Sequence, residues 1–289
     1  MLNSVYKFIP ARAEFFDNFL LRASNKWSLN DPFEARPSFD YWADLCISTR
    51  YERFGKTKEE IISYLEKQPE GSVWSELGIS LYRDYGVISF CEEKDNLLMW
   101  SHYTDEHYGM VVEFDSNNKF FNSLLVNEQN SAVGRLNRVM YRKSRLNNIG
   151  GHLMEPYFHK SDEWGYEKEH RLLLDLYRAD TYLIQKKYRD FYKSSKYITD
   201  EDVSDFTDTL LKINNYCGSS IVNEPTFMAM FEVPVEAIMS VSFGIKATDT
   251  FKHAVESKLA CEKLEHVQAY CAQIDPYDYR IRFEKNIIG

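Results

Sequence analysis

Two stretches of this chain hold residue types that could do chemistry at a usable spacing. In Glu167-Lys168-Glu169-His170-Arg171 two carboxylates stand at i and i+2 beside an arginine. On a strand Glu167, Glu169 and Arg171 would share one face and Tyr166, Lys168 and His170 the other. Carboxylates held that close either have their acidities pushed apart or act together on one polar ligand. A salt-bridged outer strand face is the plainer use of the same residues. The second stretch, residues 86–115, reads as strand, polar loop, compact helix and strand, with Ser89 in the first strand and Trp100, His102 and Tyr103 on the helix. Polar and aromatic residues gathered so densely read as a pocket wall, although any single histidine is more often a satisfied core residue.

Weaker candidates surround these. In Asn30-Asp31-Pro32-Phe33-Glu34 the proline favours a turn. Asp31 and Glu34 either face a ligand from that turn or merely flank a loop anchored by Phe33 and Trp27. Arg135, Arg138, Arg142, Lys143 and Arg145 form the dense basic cluster of the chain, which is either a solvated face or a landing site for phosphates. His102 and His107 are five apart, a spacing that puts them on different helical faces and argues against a metal pair. Ser89 lies in no Gly-x-Ser-x-Gly elbow, which weakens a serine hydrolase built with His102 and Asp105 or Glu106.

The elements that must position these residues follow from periodicity. Residues 4–9 alternate as a first strand, with Tyr6 and Phe8 on one face and Val5, Lys7 and Ile9 on the other. The spacing of Phe15, Phe16, Phe19 and Leu20 predicts a helix over 11–21. Helical periodicity over about 38–85, from Tyr41 to Leu81, predicts an insertion before the Ser89 strand that covers a sheet face or a site. Strands are expected at 137–141, 227–233 and 238–244, a charged helical region at 180–215, a helix at 248–264, and a closing hairpin-like pair at 267–272 and 279–283.

Composition sets the outer bounds. The 289 residues are 44% hydrophobic and 27% charged, ordinary globular values, and no repeat or linker divides them, so one α+β domain over 1–289 is expected. A net charge of −9 lacks the footprint of a nonspecific nucleic-acid binder. Cys46, Cys91, Cys217, Cys261 and Cys271 are odd in number and unpaired in sequence, which favours a reducing compartment over a disulfide framework or a zinc site. With no signal pattern and no run long enough to span a bilayer, a soluble cytoplasmic protein is expected.

The boxes at 30–34, Ser89-Phe90, Leu98-Met99-Trp100-Ser101-His102-Tyr103 with His107 and Gly109, 164–171 and 238–244 fall in an order that resembles the bacterial domain of unknown function 2971 family. A second resemblance is to ADP-ribosyltransferases of the arginine-serine-glutamate type, carried by Tyr6-Lys7, Ile88-Ser89-Phe90-Cys91 and Glu167-Lys168-Glu169. That resemblance implies a mixed, mostly antiparallel sheet with NAD as substrate. In it Glu169 would stabilise the oxocarbenium ion, Glu167 would orient or deprotonate the nucleophile and Ser89 would support the ribose site. Lys7 stands where that family carries an arginine or histidine, and a lysine offers a point charge without a fork. Tyr6, Asn30, Trp100, His102, Tyr103 and Arg171 complete the expected NAD-binding set, with Trp100 or Tyr103 stacking on the ring. The implied partners are a macromolecular acceptor (RNA, DNA or protein) and, for a toxin-like or phage-defence effector, a cognate antitoxin or inhibitor protein. The competing expectation is a non-catalytic nucleotide- or partner-binding module of the same fold.

Overall fold

A computed structural model describes residues 2–68, 84–122, 132–221 and 224–286. The strands are β1 (Ser4–Ile9), β2 (Leu20–Asn25), β3 (Tyr85–Cys91), β4 (Met110–Asp115), β5 (Leu136–Arg138), β6 (Met140–Arg142), β7 (His159–Ser161), β8 (Glu169–Asp175), β9 (Thr181–Gln185), β10 (Val203–Asp205), β11 (Leu210–Ile213), β12 (Met228–Glu232), β13 (Ile238–Phe243), β14 (Gln268–Ile274) and β15 (Ile281–Lys285). All but β6 and β7 join one sheet, ordered β10-β11-β9-β12-β2-β3-β1-β4-β13-β14-β15, with β8 and β5 branching from β3. Its pairs are antiparallel apart from β13 with β14, so the expected α+β class with a mostly antiparallel sheet holds.

β3 is the branch point. One edge pairs with β8 along its whole length, from Tyr85 opposite Asp175 to Cys91 opposite Glu169. The other edge is shared: β2 meets it at Val87 and Gly86, whereas β1 meets it at Cys91 alone. β1 and β2 therefore splay apart beside Ser89. The Lys7 ammonium fills that split, donating to the Ser89 carbonyl at 2.7 Å. A backbone acceptor left without a ladder partner is satisfied by a side chain instead.

The sheet is covered on both faces. Ile88, Phe90, Leu172 and Leu174 enter the main core with Phe114, Val241 and Phe243. Val87 and Leu173, on the opposite face, pack beneath Tyr41, Trp42, Leu45, Ile61 and Leu65. Those residues lie on the helices Phe39–Ser48 and Lys58–Glu66, the second started by a capping box between Thr57 and Glu60. These helices cover a sheet face, as the periodicity predicts; Trp74, Leu77 and Leu81 lie outside the described residues. The alternation in β1 also holds, with Val5 and Ile9 in the main core and Tyr6 and Phe8 in a separate cluster around Trp100.

Three expectations are corrected. Only Phe15–Asn18 of the predicted 11–21 helix is helical, because Phe19 turns into the left-handed region (φ 53°) and Leu20 begins β2. The phenylalanine spacing mimics a helical stripe, whereas Leu21, Ala23 and Asn25 are buried in strand alternation. The charged 180–215 region is not helical throughout: strands β9, β10 and β11 flank the short helix Arg189–Ser194. There the alternating strand positions are masked by flanking lysines and tyrosines. The helix predicted at 248–264 ends earlier, spanning Asp249–Leu259.

Candidate functional site

The face of β3 and β8 that carries Val87 and Leu173 changes from apolar to polar within one residue pair. Ser89 lies opposite Arg171, and Cys91 opposite Glu169. Together with Tyr6, Lys7, Asn30, Glu34, Tyr103, Lys160 and Glu167 these side chains line a cavity of about 320 Å³, at the small end of ligand pockets. Residues from six separate segments of the chain thus meet at the split between β1 and β2.

Its floor is a buried ionic network. Arg171, 1% exposed, donates from Nε to Glu169 Oε1 at 2.7 Å and from an Nη to Glu169 Oε2 at 3.0 Å. It also reaches Glu34 at 2.8 Å and the Tyr157 carbonyl at 2.6 Å. Lys160 bonds Glu167 at 2.6 Å, Glu34 at 3.0 Å and Glu169 at 3.4 Å. Three carboxylates against these two cations leave one net negative charge, before Lys7 is counted. Taking so many charges out of water is costly unless each is paired and hydrogen-bonded, which here they are.

The protonation states follow from the pairing. Burial alone would raise the Glu169 carboxyl, but Arg171 and Lys160 outweigh it and hold the group down to about 2. Lys160 is likewise opposed by burial yet raised by Glu169 and Glu34. Lys7 goes the other way: desolvation dominates, Glu169 and Glu167 offset it only in part, and its ammonium titrates at about 8. Burial pushes the Cys91 thiol to about 12, so it is no thiolate nucleophile.

Glu167 reaches this cluster by a route other than strand alternation. It ends a 3-10 turn, Asp162–Glu167, and Lys168 then takes a left-handed conformation (φ 45°) before β8 starts at Glu169. The kink, rather than a continuous strand face, brings both carboxylates to one cavity. Tyr103 donates to Glu167 at 2.5 Å; burial and then Glu167 raise its phenol. The site helix Leu97–Tyr103 is started by Asn96, which caps Met99 and ties down the Tyr166 carbonyl.

Of the residues expected from sequence, Tyr6, Lys7, Asn30, Ser89, Tyr103, Glu167, Glu169 and Arg171 line the cavity. Trp100 and His102 do not. Trp100 is fully buried, donates its indole N–H to the Lys94 carbonyl at 2.7 Å and packs edge-on against Phe8, so it anchors the loop and stacks on no ligand. His102 is exposed on the helix near Tyr166. His107 stacks on Trp100 from outside the cavity, no histidine lines it, and no group of metal-ligating side chains occurs among the described residues. A triad around Ser89 is therefore not assembled.

Asp31 and Glu34 separate: Glu34 joins the network, whereas Asp31 caps its own turn by accepting from the Phe33 N–H. Sequence reasoning missed Lys160. It becomes central through the parallel pairing of β7 with β6, which sets it opposite Tyr141, whose hydroxyl accepts from the Glu169 N–H at 2.9 Å. A lone lysine in a polar turn carries no local signal of that role.

Fold and cavity together define an α+β protein with a charge-paired, ligand-sized pocket at a split in its sheet. Residues 99–172 match the model of a family described as Protein of unknown function (DUF2971). That stretch takes in Tyr103, Lys160, Glu167, Glu169 and Arg171; Lys7, Glu34 and Ser89 lie before it. No curated protein and no solved structure matches the chain. Among the described residues no helix is long and apolar enough to cross a membrane.

Proposed function

We propose that the chain is an NAD-dependent ADP-ribosyltransferase that modifies a macromolecule, with the β1–β3–β8 cavity as its active site. The observation that carries this reading is the meeting of Ser89, Glu169 and the first-strand cation Lys7 around one cavity. When the bond from ribose C1′ to the nicotinamide nitrogen breaks, its electron pair leaves with nicotinamide and positive charge develops on the ribose. An ionised carboxylate held by a preorganised network stabilises that charge without reorganising. Glu169 is ionised at any physiological pH, so its carboxylate is ready to face that charge. Glu167, held by Tyr103 and Lys160, would take the proton from the acceptor nucleophile as it attacks C1′. Toxin or phage-defence roles and a cognate inhibitor partner belong to this same reading.

One observation favours a second reading, a non-catalytic nucleotide-binding module. Both Glu169 oxygens are already engaged by Arg171, which spreads the charge a transition state would use. Incubation with labelled NAD and a cell lysate separates the two. Nicotinamide release with label in a protein, RNA or DNA fraction, both lost in Glu169→Gln, supports transfer. Saturable NAD binding by a folded protein with no nicotinamide released would replace transfer with the binding module.

A further inference from the structure

A second cavity, of about 210 Å³, lies beside the first, and Lys160 borders both. The same two segments build both walls. In the β6–β7 ladder Tyr141 and Lys160 form one register pair, nearest the carboxylates, while Arg142 and Ser161 form the next and line the second cavity with His159. In the turn after β2, Glu34 enters the ionic network while Phe33 and Arg36 line the second cavity. The two segments thus contribute to both adjoining pockets, with every carboxylate among these linings in the first.

The second pocket is strongly basic. Arg36, Arg142, Lys143, Arg145, His159 and Lys160 line it, and no aspartate or glutamate does. Glu155 stands at its edge, paired with His159 at 3.4 Å. Among the described residues no ion pair joins Arg142, Lys143 or Arg145 to a carboxylate, in a protein whose net charge is −9. Arg145 lies over the ring of Phe33 at 4.9 Å, and Phe33 is 55% exposed, giving a flat surface at the pocket mouth. Cations gathered around an aromatic plate suit the phosphate and base of a nucleotide unit.

We propose that this pocket is a phosphate-binding subsite that receives a nucleotide unit, with its phosphate on Arg142, Lys143 and Arg145 and its base toward Phe33. The location, next to the cavity with the proposed reactive carboxylates, makes it the seat of an acceptor or of a regulatory nucleotide. Naming it an acceptor subsite rests on the transferase reading; the binding chemistry does not.

The test is fluorescence anisotropy with labelled single-stranded RNA of mixed sequence, repeated over a salt series, with ADP as competitor and no NAD present. Wild type should bind with a salt slope of ~0.7 per phosphate engaged. Lys143→Glu with Arg145→Glu, both exposed positions, should weaken binding at least tenfold and flatten the slope, and Phe33→Ala should weaken it with the slope unchanged. RNA binding displaced by ADP identifies an oligonucleotide guest, and ADP binding without RNA binding identifies a free nucleotide; either supports the subsite. Failure of wild type to bind both probes, or equal binding by the double variant, overturns it. Wild type that binds these probes yet releases no nicotinamide from NAD leaves the subsite standing and removes the transferase alone.

Discussion

Arg171 and Glu169, two residues apart on β8, meet as a fork: guanidinium Nε and an Nη face the two carboxylate oxygens at 2.7 and 3.0 Å. The strand puts both on one face, and the remaining guanidinium donors go to Glu34 and the Tyr157 carbonyl. Every atom of the fork is committed, so the pair acts as a rigid floor for the cavity.

Arg171→Met should therefore be among the most destabilising substitutions in the chain. It leaves Glu169 and Glu34 buried with only Lys160 between them, and deleting one partner of a buried pair costs ~3–5 kcal/mol. Arg171→Lys restores charge without the fork and should recover only part of the loss. Urea unfolding checks both; a wild-type midpoint in Arg171→Met would contradict the network's role.

Glu169 ties stability to acid. Its folded-state value of about 2 lies below the ordinary glutamate value of ~4.3, so its contribution is complete above the ordinary value and is lost as pH falls through about 2. Thermal melts from pH 6 down to pH 2 should show a steeper decline for wild type than for Glu169→Gln. Parallel declines would mean that other carboxylates dominate. At neutral pH the same variant should lose nicotinamide release by 100-fold or more, on the order of the loss when an electrostatic stabiliser is removed.

The legibility of this site in the sequence divides along local and nonlocal lines. Glu169 and Arg171 could be assigned a shared face because strand alternation is local, and Ser89 because its strand stands out in an apolar run. Alternation places Glu167 on that same face, whereas it reaches the cavity through the left-handed turn at Lys168. Lys160 is made central by the nonlocal parallel β6–β7 pairing, and an indole on a polar helix such as Trp100 looks the same in sequence whether it faces a ligand or a loop carbonyl. β2 hid behind a helical phenylalanine spacing, although it supplies half of the split that opens the cavity.

Tyr103→Phe removes the 2.5 Å bond to Glu167 and nothing else from the cavity wall. Hydrogen bonds to charged groups contribute ~1.5–3 kcal/mol, so a loss of that size in stability is expected. If Glu167 acts on the acceptor, label transfer in this variant should fall more than nicotinamide release does. Equal loss of both would assign Tyr103 to the ribose side of the cavity.

Lys7 should make stability and ligand affinity diverge with pH. Desolvation holds its folded-state value at about 8, below the ordinary lysine value of ~10.4. Its contribution to stability is therefore complete above the ordinary value and is lost as pH falls through about 8. The charge available to an anionic ligand changes in the opposite sense, present below about 8 and gone above it. Between pH 7 and pH 9, NAD affinity measured by calorimetry should drop severalfold while the fold gains stability. Lys7→Arg keeps its charge throughout and should bind equally at both pH values, since guanidinium does not titrate in that range. An unchanged wild-type affinity at pH 9 would mean that the Lys7 ammonium serves the Ser89 carbonyl alone and does not touch the ligand.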